Sequence, residues 1–210
     1  MNTKNGILNI DTKEYNILFT SDTHFNHTNI IKYCNRPFVD ADEMNECLIE
    51  NWNAVVGKGD VVFHLGDFAF GDPHKATEIA NRLNGKKYLV IGNHDWKLLA
   101  NSQEFNDCFE MVTPQLRIII NGTRVWMNHF PFLTFEGAWR GTDAAWNLFG
   151  HVHSGKHQTT GLDIVRLNVL LPTQYDVGVD NNDYTPVSWH KLSDIIHEQM
   201  MSLNLYRGNS

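Results

Sequence analysis

The sequence predicts an α+β fold. The first part of the chain is predicted to form a parallel or mixed sheet, and the second part is predicted to be rich in hairpins. Up to about residue 91, short apolar runs alternate with amphipathic stretches, a pattern that is typical of βαβ units. After about residue 112, the dipeptide Asn121-Gly122 separates two apolar runs, which favours a hairpin with a two-residue turn. Together these observations favour a mixed fold over an all-β fold.

Three buried strands are predicted in the first half of the chain. They are the continuous apolar runs Tyr15–Thr20, Val61–Leu65 and Lys87–Ile91, whose lengths suit strands that are covered on both faces. Each run ends in a polar turn. Because functional residues are concentrated on the loops that a rigid scaffold positions, the turns after these strands are where we look for a site.

Two amphipathic helices are predicted between these strands. Asp40 begins a capping box, and apolar residues recur with a 3.6-residue period from Met44 to Val56. Asp72-Pro73 is a typical helix start, and Asn84-Gly85 is a typical helix end. A shorter helix is predicted over Asn26–Cys34, before the break at Pro37.

The second half is predicted to add strands and one helix. The predicted strands are Gln115–Ile120, Thr123–Asn128, Ala145–Phe149, Tyr175–Val179 and Pro186–Trp189. Ser188 is a candidate N-cap for a last helix whose apolar positions continue to Met201. The chain of 210 residues contains no repeat or linker and is 42% hydrophobic, so we expect a single domain over residues 1–210.

The charge and cysteine content bound the partners and the compartment. A net charge of -7 provides no basic patch, so extended nucleic acid is a disfavoured partner, whereas a small nucleotide remains possible. Cys34, Cys47 and Cys108 form no C-x-x-C pair, and residues 1–9 are polar, which indicates a reducing, cytoplasmic setting. No apolar run approaches the length that a bilayer requires, so no membrane partner is expected.

Five polar motifs follow the hydrophobic runs and carry the candidate site. They are Asp22-Thr23-His24, Gly66-Asp67, Gly92-Asn93-His94-Asp95, Asn128-His129 and Gly150-His151-Val152-His153. Their oxygen and nitrogen donors, with no thiolate, suit Mn²⁺, Fe, Zn²⁺, Co²⁺ or Ni²⁺ better than a structural zinc site.

The number of donors in these motifs implies two divalent transition-metal ions. Two aspartates, one asparagine and four histidines besides His94 exceed the needs of one tetrahedral site. A carboxylate shared by two cations about 3.5 to 4 Å apart lets a water ionise near neutral pH and attack in line. The motifs therefore predict the hydrolysis of phosphate esters.

The same motifs, in this order, resemble the calcineurin-like metallophosphoesterases over roughly residues 15 to 180. Further similarity to a small single-domain branch from bacteria and phages lies in Ser21-Asp22-Thr23-His24-Phe25, Tyr33-Cys34-Asn35-Arg36-Pro37-Phe38 and His64-Leu65-Gly66-Asp67-Phe68. The resemblance implies a four-layer αββα sandwich, in which two mixed sheets are flanked by helices and the metals lie at the carboxyl ends of the strands.

The resemblance also implies a role for each motif residue. Asp22, His24 and His153 would hold the first metal; Asn93, His129 and His151 would hold the second; and Asp67 would bridge them. His94 would instead donate a proton to the leaving-group oxygen, with Asp95 orienting its imidazole, which agrees with general-acid chemistry. Mn²⁺ is the first choice of metal.

Residues outside the motifs carry weaker predictions. His27 and Arg36 are candidate phosphate contacts, with an ordinary surface pair as the alternative. His64 lies inside an apolar run, so we expect a buried structural role for it rather than ligation. Four aromatic residues could form a wall for a planar group or part of the core. They are Phe130, Phe132, Phe135 and Trp139.

Three functions follow from the sequence. The first is a metal-dependent phosphodiesterase or phosphatase that acts on a small, nucleotide-like ester, and it accounts for both the ligand set and His94. The second is a non-catalytic scaffold with the same fold, and such a scaffold would need neither the ligand set nor His94. The third is a nuclease or an enzyme that processes nucleic-acid ends, which the acidic net charge disfavours.

Overall fold

The structure, a computed structural model, describes residues 2–4, 7–140, 143–155 and 167–207. It contains two mixed β-sheets flanked by helices, so the predicted α+β fold class is confirmed. The strands are β1 (Asn2–Lys4), β2 (Ile7–Ile10), β3 (Ile17–Thr20), β4 (Val61–His64), β5 (Lys86–Val90), β6 (Met111–Thr113), β7 (Gln115–Ile120), β8 (Thr123–Asn128), β9 (Trp146–Phe149), β10 (Gln174–Asp176) and β11 (Val187–Ser188).

The two sheets divide the chain roughly as the sequence indicates. One sheet has the order β11-β3-β4-β5-β6, and only its edge strand β11 is antiparallel to its neighbour. The other has the order β1-β2-β7-β8-β9-β10 and contains the predicted hairpin, in which Gln115 pairs with Asn128 and Ile120 with Thr123. The predicted bounds of both hairpin strands are confirmed.

Six helices cover the sheets within the described residues. They are α1 (Thr28–Tyr33), α2 (Ala41–Val55), α3 (Pro73–Arg82), α4 (Asp95–Asn101), α5 (Gln103–Asn106) and α6 (Trp189–Arg207). Asp40 caps α2 by accepting from the Glu43 amide, as its sequence predicts. The helix α3 ends before the expected Asn84-Gly85 stop, because Leu83 is already extended. None of these helices is long and apolar enough to cross a bilayer.

Alternation along the central strands creates two cores. Leu18 of β3 packs with Met44 and Trp52 of α2 in the core between sheet and helices. Phe19, the next residue, packs with residues such as Met127 in the core between the two sheets. Because β3 and β4 are buried on both faces, the loops that follow them are held rigidly.

Several elements differ from the sequence prediction. The strands β1, β2 and β6 and the helices α4 and α5 were not predicted, since they are short and lack a long periodic apolar pattern. The strand expected over Tyr175–Val179 is β10, which ends at Asp176, and a 3₁₀ turn begins at Val179. Among these differences, α4 begins at Asp95, in the motif that follows β5.

Candidate metal centre

The five polar motifs lie at the junction of the two sheets. Asp22 and His24 follow β3, Asp67 follows β4, and Asn93 follows β5. The other sheet contributes His129 after β8 and both histidines of the Gly150–His153 motif after β9. The structure thus brings together residues that are as much as 131 positions apart, counted from Asp22 to His153 (153 − 22 = 131).

Backbone hydrogen bonds tie the loops after β3 and β4 to each other. The amide of Asp22 donates to the Gly66 carbonyl over 2.9 Å, and the amide of His24 donates to the Asp67 carbonyl over 3.0 Å. Phe25 continues the ladder by donating to Phe68 over 2.9 Å. The two motifs are therefore fixed in register before their side chains make any contact.

The side chains form two groups that could each hold a metal ion. The first is Asp22, His24 and His153, and the second is Asp67, His129 and His151; within each group the donor atoms lie within 4.8 Å of one another. Nε2 of His153 is 3.7 Å from Asp22 Oδ1, and Nε2 of His129 is 3.4 Å from Asp67 Oδ2.

The carboxylate of Asp67 lies between the two groups. Its Oδ2 is 3.4 Å from His129 Nε2 and 3.6 Å from His24 Nε2, while its Oδ1 accepts from the His94 amide over 2.8 Å. One oxygen is thus anchored, and the other faces both groups. Asn93 joins the second group, since its Oδ1 is 3.1 Å from His129 Nε2.

His94 stands beside both groups but is more open to solvent. Its Nε2 is 4.0 Å from Asp67 Oδ2, and its side chain is 38% exposed, whereas that of Asp67 is 2% exposed. Its ring meets that of His24 edge-on, with 5.4 Å between ring centroids. It therefore reaches the centre from the solvent side.

Buried polar atoms without hydrogen-bond partners indicate that a cation belongs here. Among the described residues, Asp22 Oδ1 and both ring nitrogens of His24 are buried and have no hydrogen-bond partner. Such atoms cost about 1 to 3 kcal/mol each if nothing compensates them. A bound divalent ion would use the carboxylate oxygen and a neutral imidazole nitrogen, so the donors fit a metal.

The pKa values of His24 and His129 depend on their burial and on the charged side chains around them. Burial, helped by the nearby charges of His153 and Arg36, lowers the pKa of His24 well below its ordinary value. Burial alone would lower the pKa of His129, but a hydrogen bond to Asp67 and the charge of Asp22 raise it to about 9. The two aspartates thus attract positive charge, which in the absence of another cation is a proton.

Close backbone packing explains the glycines in the motifs. A Cβ atom at Gly92 would collide with Asp67, and one at Gly150 would collide with Ser21 and Asp22.

Several candidate ligands adopt the left-handed conformation, which is uncommon for residues other than glycine. Their φ angles are +57° at Asp22, +49° at His24, +56° at Asp67, +69° at His151 and +48° at His153.

The structure places Asp95 in contact with the loops around Asp67. Its carboxylate is fully buried and accepts from the backbone amides of Asp67, Phe68 and Gly92 at 2.8 to 2.9 Å. Burial raises the pKa of Asp95 to about 6, although these hydrogen bonds oppose the shift. Asp95 therefore holds the loops around Asp67, and the role expected for it at the imidazole of His94 stays a prediction.

The phosphate contact expected for Arg36 is wrong. Its side chain is 0% exposed, and its guanidinium donates to both carboxylate oxygens of Asp180 and to the carbonyls of Asp22 and Thr23. The donors that would bind a phosphate are therefore already used. Arg36 instead holds the loop after β3, which contains the candidate ligands Asp22 and His24.

Asp180 is a residue that the sequence analysis missed. Its Oδ2 lies 2.7 Å from Nδ1 of His153, so it fixes the ring that faces Asp22. Burial alone would raise the pKa of Asp180, but the charge of Arg36 and the hydrogen bonds from His153 and Arg36 lower it. Cys34, which is buried, forms a further group with His153 and Asp180, whose donor atoms lie within 4.8 Å of one another. Nothing in the local sequence marks these contacts, because Asp180 is 144 residues from Arg36.

His27 and His64 take different positions around the centre. The ring of His27 stacks on Phe70, 4.4 Å between centroids, and lies 6.1 Å from the ring of His94, so His27 remains a candidate substrate contact. His64 is fully buried, as expected. Its Nε2 lies 2.9 Å from the Thr23 hydroxyl, and its Nδ1 accepts from the Gly66 amide.

The four aromatic residues of the loop after β8 do not belong to either core. Phe130 is 45% exposed and Trp139 is 73% exposed, and Phe132 and Phe135 are half-buried. The ring of Phe130 packs edge-on against that of His151, with 4.6 Å between centroids. Part of this loop is thus a wall of the candidate centre.

The fold and the candidate ligands place this chain among proteins that have a candidate binuclear metal centre at the junction of two sheets. The calcineurin-like phosphoesterase family model matches residues 15–194. The chain belongs to the calcineurin-like phosphoesterase family.

The chain is also similar to individual proteins. An uncharacterized protein from Methanocaldococcus jannaschii is 35% identical over 188 residues, which cover 87% of this chain and 92% of the relative. The Gene 66 protein of Mycobacterium phage D29 is 30% identical, with 84% and 90% coverage. A protein of unknown function from Aquifex aeolicus has a similar solved structure, with a TM-score of 0.65, 24% identity, and 86% and 99% coverage.

We expect Asp180→Asn to destabilise the metal-free protein by about 3 to 5 kcal/mol, since it leaves the buried guanidinium of Arg36 without its counter-charge. The measurement is urea unfolding in the presence of a chelator. Asp42→Asn, on the exposed first turn of α2, is the matched control and should change stability by less than about 0.5 kcal/mol. Equal stability of the two variants would contradict the role of Asp180.

We expect His64 to make the folded state sensitive to acid. Burial lowers the pKa of His64 from 6.5 to about 3, so below about pH 6.5 the unfolded chain binds a proton that the folded chain rejects. The stabilising contribution of neutral His64 is therefore complete above pH 6.5 and is lost as the pH falls towards 3. Between pH 7 and pH 5 the loss is about 2 kcal/mol.

The comparison is with His64→Gln, which can donate to Thr23 but does not titrate in this range. Urea unfolding of the metal-free proteins at pH 7 and pH 5 gives the difference in stability at each pH. That difference should move by about 2 kcal/mol in favour of the variant on acidification. Parallel pH profiles would show that His64 is not held neutral.

Proposed function

We propose that this protein is a phosphodiesterase or phosphatase that uses two divalent transition-metal ions, Mn²⁺ first, to hydrolyse a small phosphate ester. The observation that carries the proposal is the position of Asp67, whose Oδ2 faces His24 at 3.6 Å and His129 at 3.4 Å. A carboxylate shared in this way is the central element of a two-metal hydrolytic site.

The ligand assignment follows the two groups. Asp22, His24 and His153 would hold one ion, and Asn93, His129 and His151 would hold the other, with Asp67 shared. The buried, unpartnered atoms of Asp22 and His24 support the first ion. When bound, the two ions would supply Lewis-acid activation and lower the pKa of a water.

The protein side chains would then divide the remaining work. In the hydrolysis, a water oxygen forms a bond to phosphorus while the bond from phosphorus to the leaving oxygen breaks, and that oxygen takes the electron pair and a proton. His94 would donate this proton, and its imidazole, which borders Asp67 and is 38% exposed, supports that role. Asp95 keeps the loop of His94 and the loop of Asp67 in register.

The charge of the chain supports a small substrate. The net charge is -7, and Arg36, the charged side chain expected to bind phosphate, is buried beneath the site. A long polyanion would therefore gain little from the surface around the centre. His27, next to His94, is the remaining candidate for a contact with the phosphate or the leaving group.

Asp67→Asn should abolish most of the activity, because a shared ligand affects both ions at once. Hydrolysis of a chromogenic phosphate ester should vanish with chelator and return with Mn²⁺ in the wild type. In Asp67→Asn we expect kcat/KM to fall by at least about 10³-fold, as expected for an effect of several kcal/mol. Elemental analysis should show loss of metal from both sites, while Asp42→Asn keeps both. Wild-type metal content and activity in Asp67→Asn would rule out a shared ligand.

His94→Ala should keep its metals and lose turnover. General-acid catalysis contributes about 10²- to 10⁴-fold, and the loss should be largest for alkyl esters, whose leaving oxygen needs the proton most. The measurements are kcat with a nitrophenyl and an alkyl leaving group, together with metal content. His74→Ala, an exposed histidine on α3, is the control. If His94→Ala loses one metal equivalent, His94 is a ligand instead.

A further inference from the structure

An apolar cleft of about 590 Å³ opens beside the candidate metal centre. It is lined by residues 130–133 of the loop after β8, by residues 151–152 of the loop after β9, and by residues 169–170. This volume is in the range of pockets that bind drug-sized ligands. The cleft is distinct from the metal ligands, apart from one shared residue.

The shared residue is His151. Its ring forms part of the lining and packs edge-on against Phe130, with 4.6 Å between centroids. The ring of Phe130 also packs against that of His129, with 5.0 Å between centroids. A group in the cleft would thus be a direct neighbour of a phosphorus atom held at the metal centre.

The chemistry of the lining selects a neutral occupant. Apart from His151, the lining side chains are apolar, and none of them is a lysine, arginine, aspartate or glutamate. Leu133 is 85% exposed, Val169 is 67% exposed and Phe130 is 45% exposed. Exposed apolar side chains that surround a concave surface favour a ligand that covers them.

The position of the cleft indicates which part of a substrate it would receive. His94, the proposed proton donor, has His24, His27 and Phe70 as its ring neighbours. The cleft instead adjoins His151 and Phe130. The leaving group belongs beside its proton donor, so the cleft is left for a substituent that stays on phosphorus.

We infer that the substrate is a phosphodiester whose retained substituent is a neutral, apolar group at least as large as an aromatic ring, bound in this cleft. The inference rests on the proposed function and specifies its substrate class. Hydrolysis would release the leaving group as an alcohol beside His94 and leave the phosphate monoester of the apolar substituent in the cleft.

Two diesters with the same leaving group test the inference. Phenyl p-nitrophenyl phosphate and methyl p-nitrophenyl phosphate differ only in the retained substituent, and both release p-nitrophenolate. With Mn²⁺ present, we expect kcat/KM to be at least about 10-fold higher for the phenyl ester, in line with apolar discrimination in other pockets. Leu133→Ala and Val169→Ala, on two walls of the cleft, should each reduce this ratio by about fivefold.

Met111→Ala is the matched control, since Met111 is also an exposed apolar residue, 42% exposed, and does not line the cleft. It should leave the ratio unchanged. A wild-type ratio near one, or a ratio that neither cleft variant changes, would overturn the inference and leave the proposed function standing.

Failure of the proposed function gives a different result, because neither diester would then be hydrolysed with any divalent metal. In that case, calorimetry with phenylphosphonate and methylphosphonate still tests the cleft. Tighter binding of the phenyl compound that Leu133→Ala weakens about fivefold supports an apolar subsite. Equal binding of the two compounds overturns it.

Discussion

The buried carboxylate of Asp95 is the contact on which the geometry of the centre depends. It accepts hydrogen bonds from the amides of Asp67 and Phe68 in one loop and of Gly92 in another. Since a buried amide without a partner is costly, these bonds fix the distance between the ends of β4 and β5. The ladder from the loop after β3 then adds Asp22 and His24 to the same rigid unit. Backbone contacts therefore preorganise the centre, and the positions of the ligand side chains depend on these contacts.

This preorganisation comes with local strain and an excess of like charge. Five candidate ligands, Asp22 among them, have φ values between +48° and +69°, a conformation that costs about 1 to 2 kcal/mol for residues with a side chain. Asp22 and Asp67 add buried negative charge, which raises the pKa of His129. A cation that compensates both effects would stabilise the folded state. Because the candidate ligands come from both sheets, such a cation would also join the sheets.

The sequence predicts the parts of this structure that depend on local rules. Asn121-Gly122 specifies its hairpin because its turn geometry is local, and the motif residues were found because each motif follows a hydrophobic run. The strand β2 was not found, since its pairing with β7 is defined by a distant partner, and the edge strand β1 was not found, since it pairs only with β2. The same reason explains the error at Arg36, because a single arginine on a loop gives no sign of a partner 144 residues away.

The error at Arg36 also shows how the two sheets are joined. Its guanidinium contacts the carbonyls of Asp22 and Thr23, which follow β3, and the carboxylate of Asp180, which follows β10. Asp180 in turn fixes the ring of His153 after β9. A buried ion pair contributes little net stability by itself, but breaking one is costly. Its value here is geometric: one arginine sets the position of a loop from one sheet against a histidine from the other, so the distance from Asp22 to His153 is determined before any metal binds.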